Sequence, residues 1–424
     1  MLEPGRTKLS TEFDGLPVRL GDFLAKGGQG EVYLGWLAGE RVAIKWYFPT
    51  ILAIDPDLRA RLCRLRDSEP PSRKFLWPKD IVVSPDVAGF GYVMPFREEQ
   101  FCELNIAIIN HNPSLRIRVT AGYEIVEAYQ KLHARGLCYH DISFGNVAFD
   151  VNTGEARICD CDNVGENGVP GRVAGTPRFM APEVVERIAH PTRDTDLWSL
   201  AVLLFWLFQA ADPLIGLRDP MEANPQETYG RRALFIWDPR DESNRPPAGE
   251  WRESALRAWN MYPQILRDRL IEAFTVGIQD PGRRVRETEW LNVLGRMRDS
   301  VLQCPACTAE NFFERVDQTC WNCHQNLPRP MCIEVRGRSV VLTEHTALFG
   351  RHVDPLNAAL TARPVARVVR HPQHPERLGL ENLGPAPWQV VLPNGEEVTI
   401  EHDRRIRLEP GVRVNFGATE GTVT

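Results

Sequence analysis

The sequence predicts an α+β chain in three successive regions, each with its own residue pattern. Between residues 10 and 300, strand-like segments are followed by longer segments with apolar residues at helical spacing. Residues 301–328 contain two CxxC pairs, and residues 329–424 alternate apolar and polar residues between turns at Gly337 and Gly395. We therefore expect a mixed α+β domain, a small cysteine-rich segment and an all-β domain.

Composition narrows the functional class. The 424 residues are 43% hydrophobic and 25% charged, which suffices for buried cores, and the net charge of −6 argues against a protein that coats nucleic acid. The longest apolar run, Leu197–Phe208, is too short to span a bilayer and predicts a buried helix. The N-terminus has no apolar signal segment and most cysteines are scattered, so we expect a reduced, cytoplasmic protein without a nucleic-acid or membrane partner.

A glycine-rich turn joins the first two strands of the mixed domain. Gly27, Gly28 and Gly30 lie in this turn, where the absence of a Cβ lets backbone N–H groups approach phosphate oxygens. The pattern is not specific by itself, because ordinary hairpins also contain glycines. Lys45 ends the third strand, Val42–Lys45; beside such a turn its ammonium can neutralise nucleotide phosphates, whereas a lone lysine there is usually solvated.

Polar residues then recur in a fixed order. Asp141 and Asn146 lie five residues apart in YHDISFGN, a spacing that lets one loop place a proton acceptor beside a metal-binding carbonyl. Asp160 follows Asn146 by fourteen residues, after an apolar pair. Three further motifs follow: GTPRFMAPE (175–183), DLWS (196–199) and DPGRR (280–284).

This ordered series resembles the protein kinase signature over roughly residues 15–300. The resemblance implies a two-lobed kinase fold, with an N-lobe of about residues 10–96 and a C-lobe of about residues 97–300. It implies transfer of the γ-phosphoryl group of ATP, with Mg²⁺ or Mn²⁺, to a serine or threonine hydroxyl of a protein. The GTPRFMAPE stretch argues against a small-molecule kinase of the same fold, since those usually lack this peptide-binding segment.

The resemblance also implies a role for each matching residue. Lys45 would hold the α- and β-phosphates, Asp141 would accept the hydroxyl proton, and Asn146 and Asp160 would hold the metal ion. Met94 would be the gatekeeper beside a hinge that includes Phe96. The residues expected at the nucleotide site are Gly27, Gly28, Gly30, Val32, Ala43, Lys45, Met94, Phe96, Asn146 and Asp160.

Other matching residues would have structural roles. Glu183 and Arg284 would form a buried ion pair that fixes the segment around GTPRFMAPE. Asp196 would anchor the catalytic loop from a buried helix, and Thr176 would lie beside the substrate site.

Three residues depart from the kinase pattern. Asp162 stands where a glycine is expected, and we interpret it as a solvent-facing or capping residue, with a place near Mg²⁺ as the alternative. His140 replaces an arginine that binds an activation-segment phosphate, a role that a protonated histidine would fill only weakly. Ser143 replaces a lysine that helps the γ-phosphate, so we expect slower chemistry.

The helix after Lys45 lacks the expected glutamate. Asp55 is its expected N-cap, and arginines occupy the middle of the helix, where the glutamate partner of Lys45 should be. Asp67 or Glu69 near its end would then have to substitute. The alternative is a pseudokinase scaffold that binds nucleotide and docks partners through its C-terminal domains.

Two aromatic-proline stretches, residues 72–83 and 232–246, resemble bacterial kinases of tellurium-resistance-type gene clusters. That resemblance implies bacterial signalling together with a von Willebrand A-type protein and a metal-dependent protein phosphatase.

The CxxC pairs predict a structural zinc knuckle. Four thiolates on two turns suit tetrahedral Zn²⁺ better than a redox disulfide pair; they belong to Cys304, Cys307, Cys320 and Cys323.

The strands from residue 329 onward resemble a forkhead-associated (FHA) β-sandwich. Arg351 and Asn382 are its candidate phosphopeptide ligands, but the serine and turn motifs of that family are absent, so packing or docking is the preferred interpretation.

Overall fold

The computed structural model describes residues 2–169, 175–218, 228–356, 364–374 and 376–424. The chain divides into two compact units. The first comprises Met1–Trp259 and Gln264–Leu294, and the second comprises Asn260–Pro263 and Gly295–Thr424. The three domains expected from the sequence are a finer division, and their bounds stay a prediction.

A closed six-stranded barrel forms the N-terminal part of the first unit. Its strand order is β1-β2-β3-β4-β6-β5, and alternate residues such as Tyr33, Ile44 and Val93 fill its interior. Ala38 and Gly39 adopt positive φ in the tight turn between β3 and β4. The strands are β1 Leu9–Thr11, β2 Pro17–Lys26, β3 Gly30–Leu37, β4 Glu40–Tyr47, β5 Asp80–Val83 and β6 Phe90–Pro95.

Two short helices follow β4, where the sequence predicted one helix capped at Asp55. These are α1 Pro49–Ile54 and α2 Leu58–Asp67. Asp55 is the C-cap of α1, because the following proline disfavours helical backbone at the residue before it. Leucines 58, 62 and 65 of α2 are all buried and form one apolar face.

The rest of the first unit is mainly helical. Helix α6 is buried on nearly every side, which confirms the reading of the long apolar run. No helix among the described residues is long and apolar enough to cross a membrane. The helices are α3 Leu104–Ile106 (continuing as a π turn, Ala107–His111), α4 Leu115–His133, α5 Pro182–Val185, α6 Arg193–Gln209, α7 Glu250–Met261, α8 Gln264–Gln279 and α9 Glu287–Asp299.

Short strands and 3₁₀ turns carry the polar motifs of this helical part. Strands β7, β9 and β10 form one small sheet and β8 pairs with β11. Their bounds are β7 Phe101–Glu103, β8 Leu137–Cys138, β9 Val147–Asp150, β10 Ala156–Ile158 and β11 Gly165–Glu166; the 3₁₀ turns are Phe144–Asn146, Cys161–Asn163, Glu242–Asn244 and Pro281–Arg283.

The second unit is β-rich. A two-stranded ribbon, β12-β13, precedes a six-stranded sheet in the order β15-β14-β23-β22-β19-β20 and a four-stranded sheet in the order β16-β17-β18-β21. Inward residues including Ile333, Val368, Leu380 and Val390 form one core, which confirms the predicted alternation. The elements are β12 Val301–Gln303, β13 Glu310–Phe312, β14 Cys332–Val335, β15 Arg338–Val341, β16 Ala347–Phe349, α10 Gly350–Val353, β17 Pro364–Arg370, β18 Leu378–Asn382, β19 Trp388–Val391, β20 Glu397–Ile400, β21 Arg405–Arg407, β22 Arg413–Asn415 and β23 Glu420–Val423.

Candidate active site

Lys45 lies at the centre of a polar cluster. Its β4 backbone pairs with both β3 and β6, and the side chain is only 4% exposed. Its Nζ donates to Asp162 Oδ2 at 2.9 Å and to Gln29 Oε1 at 3.0 Å, and lies 3.2 Å from Asp160 Oδ1. Burial alone would lower the pKa of Lys45, but the two carboxylates outweigh it and raise that pKa. Lys45 is therefore a fixed cation.

Asp162 corrects the expectation of a solvent-facing or capping residue. It lies in the 3₁₀ turn after Asp160 and its side chain is fully buried. Oδ2 accepts hydrogen bonds from Lys45 and, at 2.5 Å, from Tyr47 Oη, whereas Oδ1 has no hydrogen-bond partner among the described residues. Burial would raise the pKa of this carboxyl, but the Lys45 charge and these hydrogen bonds lower it.

Helix α2 reaches Asp162 through an arginine. Arg61 Nε donates to the main-chain oxygen of Asp162 at 2.8 Å, and Arg61 Nη2 donates to Asp55 Oδ2 at 2.8 Å. The prediction that Asp67 or Glu69 replaces the missing glutamate partner of Lys45 is wrong. Asp67 pairs with its neighbour Arg66, and the main-chain oxygen of Glu69 accepts from Arg135.

The catalytic-loop candidates meet at Asp141. Thr176 Oγ1 donates to Asp141 Oδ1 at 2.8 Å, so Thr176 lies beside the candidate catalytic aspartate. Asn146 Nδ2 donates to the main-chain oxygen of Asp141 at 2.9 Å and to Oδ2 at 3.3 Å. Burial raises the pKa of Asp141, the Thr176 hydrogen bond lowers it, and the charge of Asp160 raises it; the net shift is upward.

Asp160 and Asn146 offer oxygen atoms suited to a hard cation. Asp160 adopts left-handed backbone, with φ of 50°, and its side chain remains 35% exposed. Burial raises the pKa of Asp160, and Lys45 offsets this only in part. Because Asn146 uses its Nδ2 on Asp141, its Oδ1 is left for a cation. Carboxylate and amide oxygens are the ligands that Mg²⁺ takes, so the donor set fits it.

The glycine-rich turn has the predicted open geometry. Gly27 and Gly28 are exposed, and a Cβ on Gly28 would meet nothing within 4 Å. A Cβ on Gly30 would instead lie 2.3 Å from the main-chain oxygen of Trp46, so only glycine fits there. Gln29, which the sequence reasoning missed, spans the turn: it accepts from Lys45, and its Nε2 donates to the Asn163 side chain at 3.1 Å.

The candidate adenine-site residues lie on neighbouring strands. Ala43 pairs with Met94 across β4 and β6, and both side chains are buried in one apolar cluster. Val32 pairs with Lys45 and packs against the same cluster. Phe96 follows the end of β6 and lies half-buried, with the Arg41 guanidinium 4.2 Å from its ring centre. The nucleotide roles of these residues stay a prediction.

The catalytic loop is anchored by a buried charge network, as expected for Asp196. Asp196 Oδ2 accepts from the Tyr139 backbone N–H at 2.5 Å and Oδ1 from the His140 backbone N–H at 3.0 Å. His133 Nε2 lies 3.0 Å from Asp196 Oδ2, and its Nδ1 contacts Glu287. Burial would lower the pKa of His133, but the two carboxylates raise it to about 9.

The expected pair between Glu183 and Arg284 is confirmed. Two hydrogen bonds of 2.8 and 2.7 Å join the guanidinium and the carboxylate, and both residues are buried.

The weak phosphate role considered for His140 is not supported. Its ring is buried against Cys138 Sγ at 2.7 Å, and burial lowers its pKa, so it is neutral near pH 7.

The four cysteines form one cluster. Cys304 Sγ lies 3.6 Å from Cys323 Sγ, Cys307 Sγ lies 3.7 Å from Cys320 Sγ, and all four sulfurs are within 4.8 Å of one another. A tetrahedral zinc site with Zn–S bonds of about 2.3 Å has S···S edges of about 3.8 Å. The donor set and its spacing therefore fit Zn²⁺.

The two candidate phosphopeptide ligands have internal partners. Arg351 Nη2 donates to Asp299 Oδ1 at 2.7 Å, and that carboxylate also contacts His352. Asn382 is fully buried and donates to the main-chain oxygens of Ala386 and Ile400. These contacts support the packing interpretation of both residues.

Part of the chain is similar in sequence to known proteins. Residues 107–246 match the family model "Protein kinase domain". The chain is 26% identical over 208 residues to CBL-interacting serine/threonine-protein kinase 5 of Arabidopsis thaliana, covering 46% of this chain and 45% of that one. It is 28% identical over 199 residues to protein kinase C delta type of Homo sapiens, covering 46% and 29%.

The solved autoinhibited serine kinase domain of titin aligns with a TM-score of 0.47 and 17% identity, covering 65% of this chain and 78% of that one. The chain spans less than half the length of these two curated relatives. The matched residues include Asp141, Asn146, Asp160 and Asp162. The chain contains a protein kinase domain, and its relatives include serine/threonine protein kinases.

Proposed function

We propose that this chain is a serine/threonine protein kinase that transfers the γ-phosphoryl group of Mg-ATP to a protein hydroxyl. The observation that carries the proposal is the 3.2 Å contact between Lys45 Nζ and Asp160 Oδ1. It joins a strand of the barrel to the loop after β10, so a phosphate-binding cation and a metal-binding carboxylate share one cleft.

Each candidate residue has a defined task in this reaction. Lys45 binds the α- and β-phosphates, and the turn at Gly27 and Gly28 covers them. Asn146 and Asp160 would hold Mg²⁺, which would neutralise phosphate charge when bound. Asp141 accepts the hydroxyl proton, a task supported by the hydroxyl that it already receives from Thr176 at 2.8 Å.

Transfer of labelled γ-phosphate from ATP, with Mg²⁺ or Mn²⁺, tests the proposal. Acceptors are the chain itself and a histone fraction. Asp141→Asn and Asp160→Ala should each reduce transfer by about 10²-fold or more, since each removes a group that acts on the reacting atoms. Asp67→Asn is the matched control, because this exposed acid pairs with Arg66 beside it. Wild-type transfer in both site variants would refute the proposal.

A pseudokinase scaffold is the second candidate. Ser143 in place of a lysine favours it, and so does a Lys45 whose ammonium already contacts three side chains. This candidate predicts that the wild-type chain binds Mg-ATP, measured by calorimetry, yet transfers no label to any acceptor. Transfer to an aminoglycoside but not to proteins would instead indicate a small-molecule kinase.

The second unit provides the docking part of the proposal. Its four cysteines hold a structural Zn²⁺, and its β-sheets form an FHA-like module that recruits partners without a phosphopeptide pocket at Arg351. The sequence resemblance supplies the proposed setting: cytoplasmic bacterial signalling with a von Willebrand A-type protein and a metal-dependent protein phosphatase. Co-purification with each of these two protein classes would test that setting.

A further inference from the structure

The carboxylate partner of Lys45 is the feature from which a further residue role follows. A lysine that binds phosphates must be held in one direction, since its long side chain otherwise samples many rotamers. Asp160 contacts Lys45 but is 35% exposed and has the task of holding the cation. A second carboxylate is therefore needed if Asp160 turns toward the metal.

Asp162 meets that need by its contacts. Its Oδ2 lies 2.9 Å from Lys45 Nζ, closer than Asp160, and none of its side chain is exposed. Tyr47 Oη, from the next-but-one residue on β4, donates to the same oxygen at 2.5 Å. The carboxylate is thus fixed to the strand that carries Lys45.

Helix α2 fixes the same residue through its main chain. Arg61 donates to the Asp162 main-chain oxygen at 2.8 Å and is itself held by Asp55 at 2.8 Å. The usual polarity is reversed: the helix supplies a cation, and the segment after Asp160 supplies the acid. The 3₁₀ backbone at Asp162 does not require glycine, so a side chain is tolerated there.

We propose that Asp162 is the positioning residue for Lys45 in phosphoryl transfer, and that Arg61 holds Asp162 in place. The inference rests on the proposed kinase function. Two departures from the kinase pattern, an acid in place of a glycine and an arginine in place of a glutamate, then form one compensated pair.

The first test separates positioning from simple packing. Asp162→Asn keeps the size of the side chain and removes its charge. Transfer should fall by on the order of 10²-fold in kcat, the cost typical of a displaced catalytic group, while the KM for the histone acceptor stays unchanged. In parallel, mass spectrometry follows labelling of Lys45 by an amine-reactive reagent, which should speed up in Asp162→Asn because the ammonium loses its partner. Asp67→Asn should match wild type in both assays.

The outcomes are distinct. Wild-type kcat in Asp162→Asn would overturn the inference and leave the kinase function standing. A higher Mg²⁺ requirement with unchanged Lys45 labelling would also overturn it, because Asp162 would then be a metal ligand. No transfer by the wild-type chain would refute the kinase function, while faster Lys45 labelling in Asp162→Asn would still establish the pairing.

A charge swap tests the reversed polarity directly. Asp162→Gly removes the acid and should abolish most transfer. Adding Arg61→Glu places a carboxylate on α2 instead, and it should recover at least about tenfold of the lost rate, since the helix can then serve Lys45. Equal rates in the single and double variants would overturn the compensated pair. Urea unfolding of each variant shows that the protein measured is folded.

Discussion

The charged cluster around His133 makes stability depend on pH in a way that can be worked out. Burial would lower the pKa of His133, but two carboxylates outweigh it and raise that pKa from 6.5 to about 9. The facing charges are Asp196 on α6 and Glu287 on α9, and Arg193 Nη2 donates to Glu287 at 3.0 Å. We consider a rise in pH from 6.5 to 9.5 and compare its effect on the free energy of unfolding of wild type and of His133→Gln.

The sign follows from which state binds the proton. The folded pKa is above the unfolded value, so the stabilisation is complete below pH 6.5 and disappears as pH rises through about 9. A shift of that size corresponds to about 3 kcal/mol at 1.36 kcal/mol per unit. The lowered pKa of Glu287, about 2, describes the same interaction and is not added to it. The lowered pKa of Glu287 causes a separate loss of stability only as the pH falls from 4.5 through 2.

Urea unfolding at several pH values between 6 and 9.5 measures this term. The free energy of unfolding of wild type should exceed that of His133→Gln by about 3 kcal/mol more at pH 6 than at pH 9.5. Other histidines and cysteines titrate in both proteins and cancel in the difference. A difference that stays constant across this range would show that His133 is not protonated in the folded chain.

Three further predictions concern separate parts of the chain. Glu183→Gln leaves the buried Arg284 guanidinium without its charged partner, and we expect a loss of about 3–5 kcal/mol in unfolding free energy, measured in urea at pH 7. Removal of metal with a chelator, or Cys320→Ser, should release about one zinc per chain by atomic absorption and lower the thermal midpoint of the second unit. Gln29→Ala removes an acceptor that competes with phosphate for Lys45, so the Kd for ATP should fall about fivefold, equivalent to about 1 kcal/mol, by calorimetric titration.

Much of the architecture follows from local sequence patterns. Alternating apolar residues predicted the strands, and the long apolar run predicted α6. Both patterns can be recognised locally, because the side chains that an element buries recur at a fixed spacing along the chain. The candidate site residues Lys45, Asp141 and Asn146 could be proposed because each lies in a short, ordered motif.

Contacts between distant segments could not be predicted in the same way. Asp162 pairs with Lys45 across 117 residues, and no local pattern reports such a contact. One signal for this contact was available in the sequence. Relative to the kinase pattern, an acid is gained after Asp160 and an arginine is gained at position 61, which suggests that two facing segments have exchanged charges. Helix α1, which ends just before Asp55, was missed, because the predicted helix began at Asp55 and Pro56 and no helix was assigned to the residues before them.

The contact between Arg61 and the main chain of Asp162 has a consequence for how the sequence can evolve. Substitution of Asp162 alone removes one of the two carboxylates that contact Lys45 and leaves Asp160. Substitution of Arg61 by an acid alone brings a second negative charge toward the buried carboxylate of Asp162. We expect each single substitution to give lower phosphoryl transfer than either end point, so the two positions should form an epistatic pair. Among related chains, positions 61 and 162 should therefore covary, with arginine accompanying aspartate and glutamate accompanying glycine.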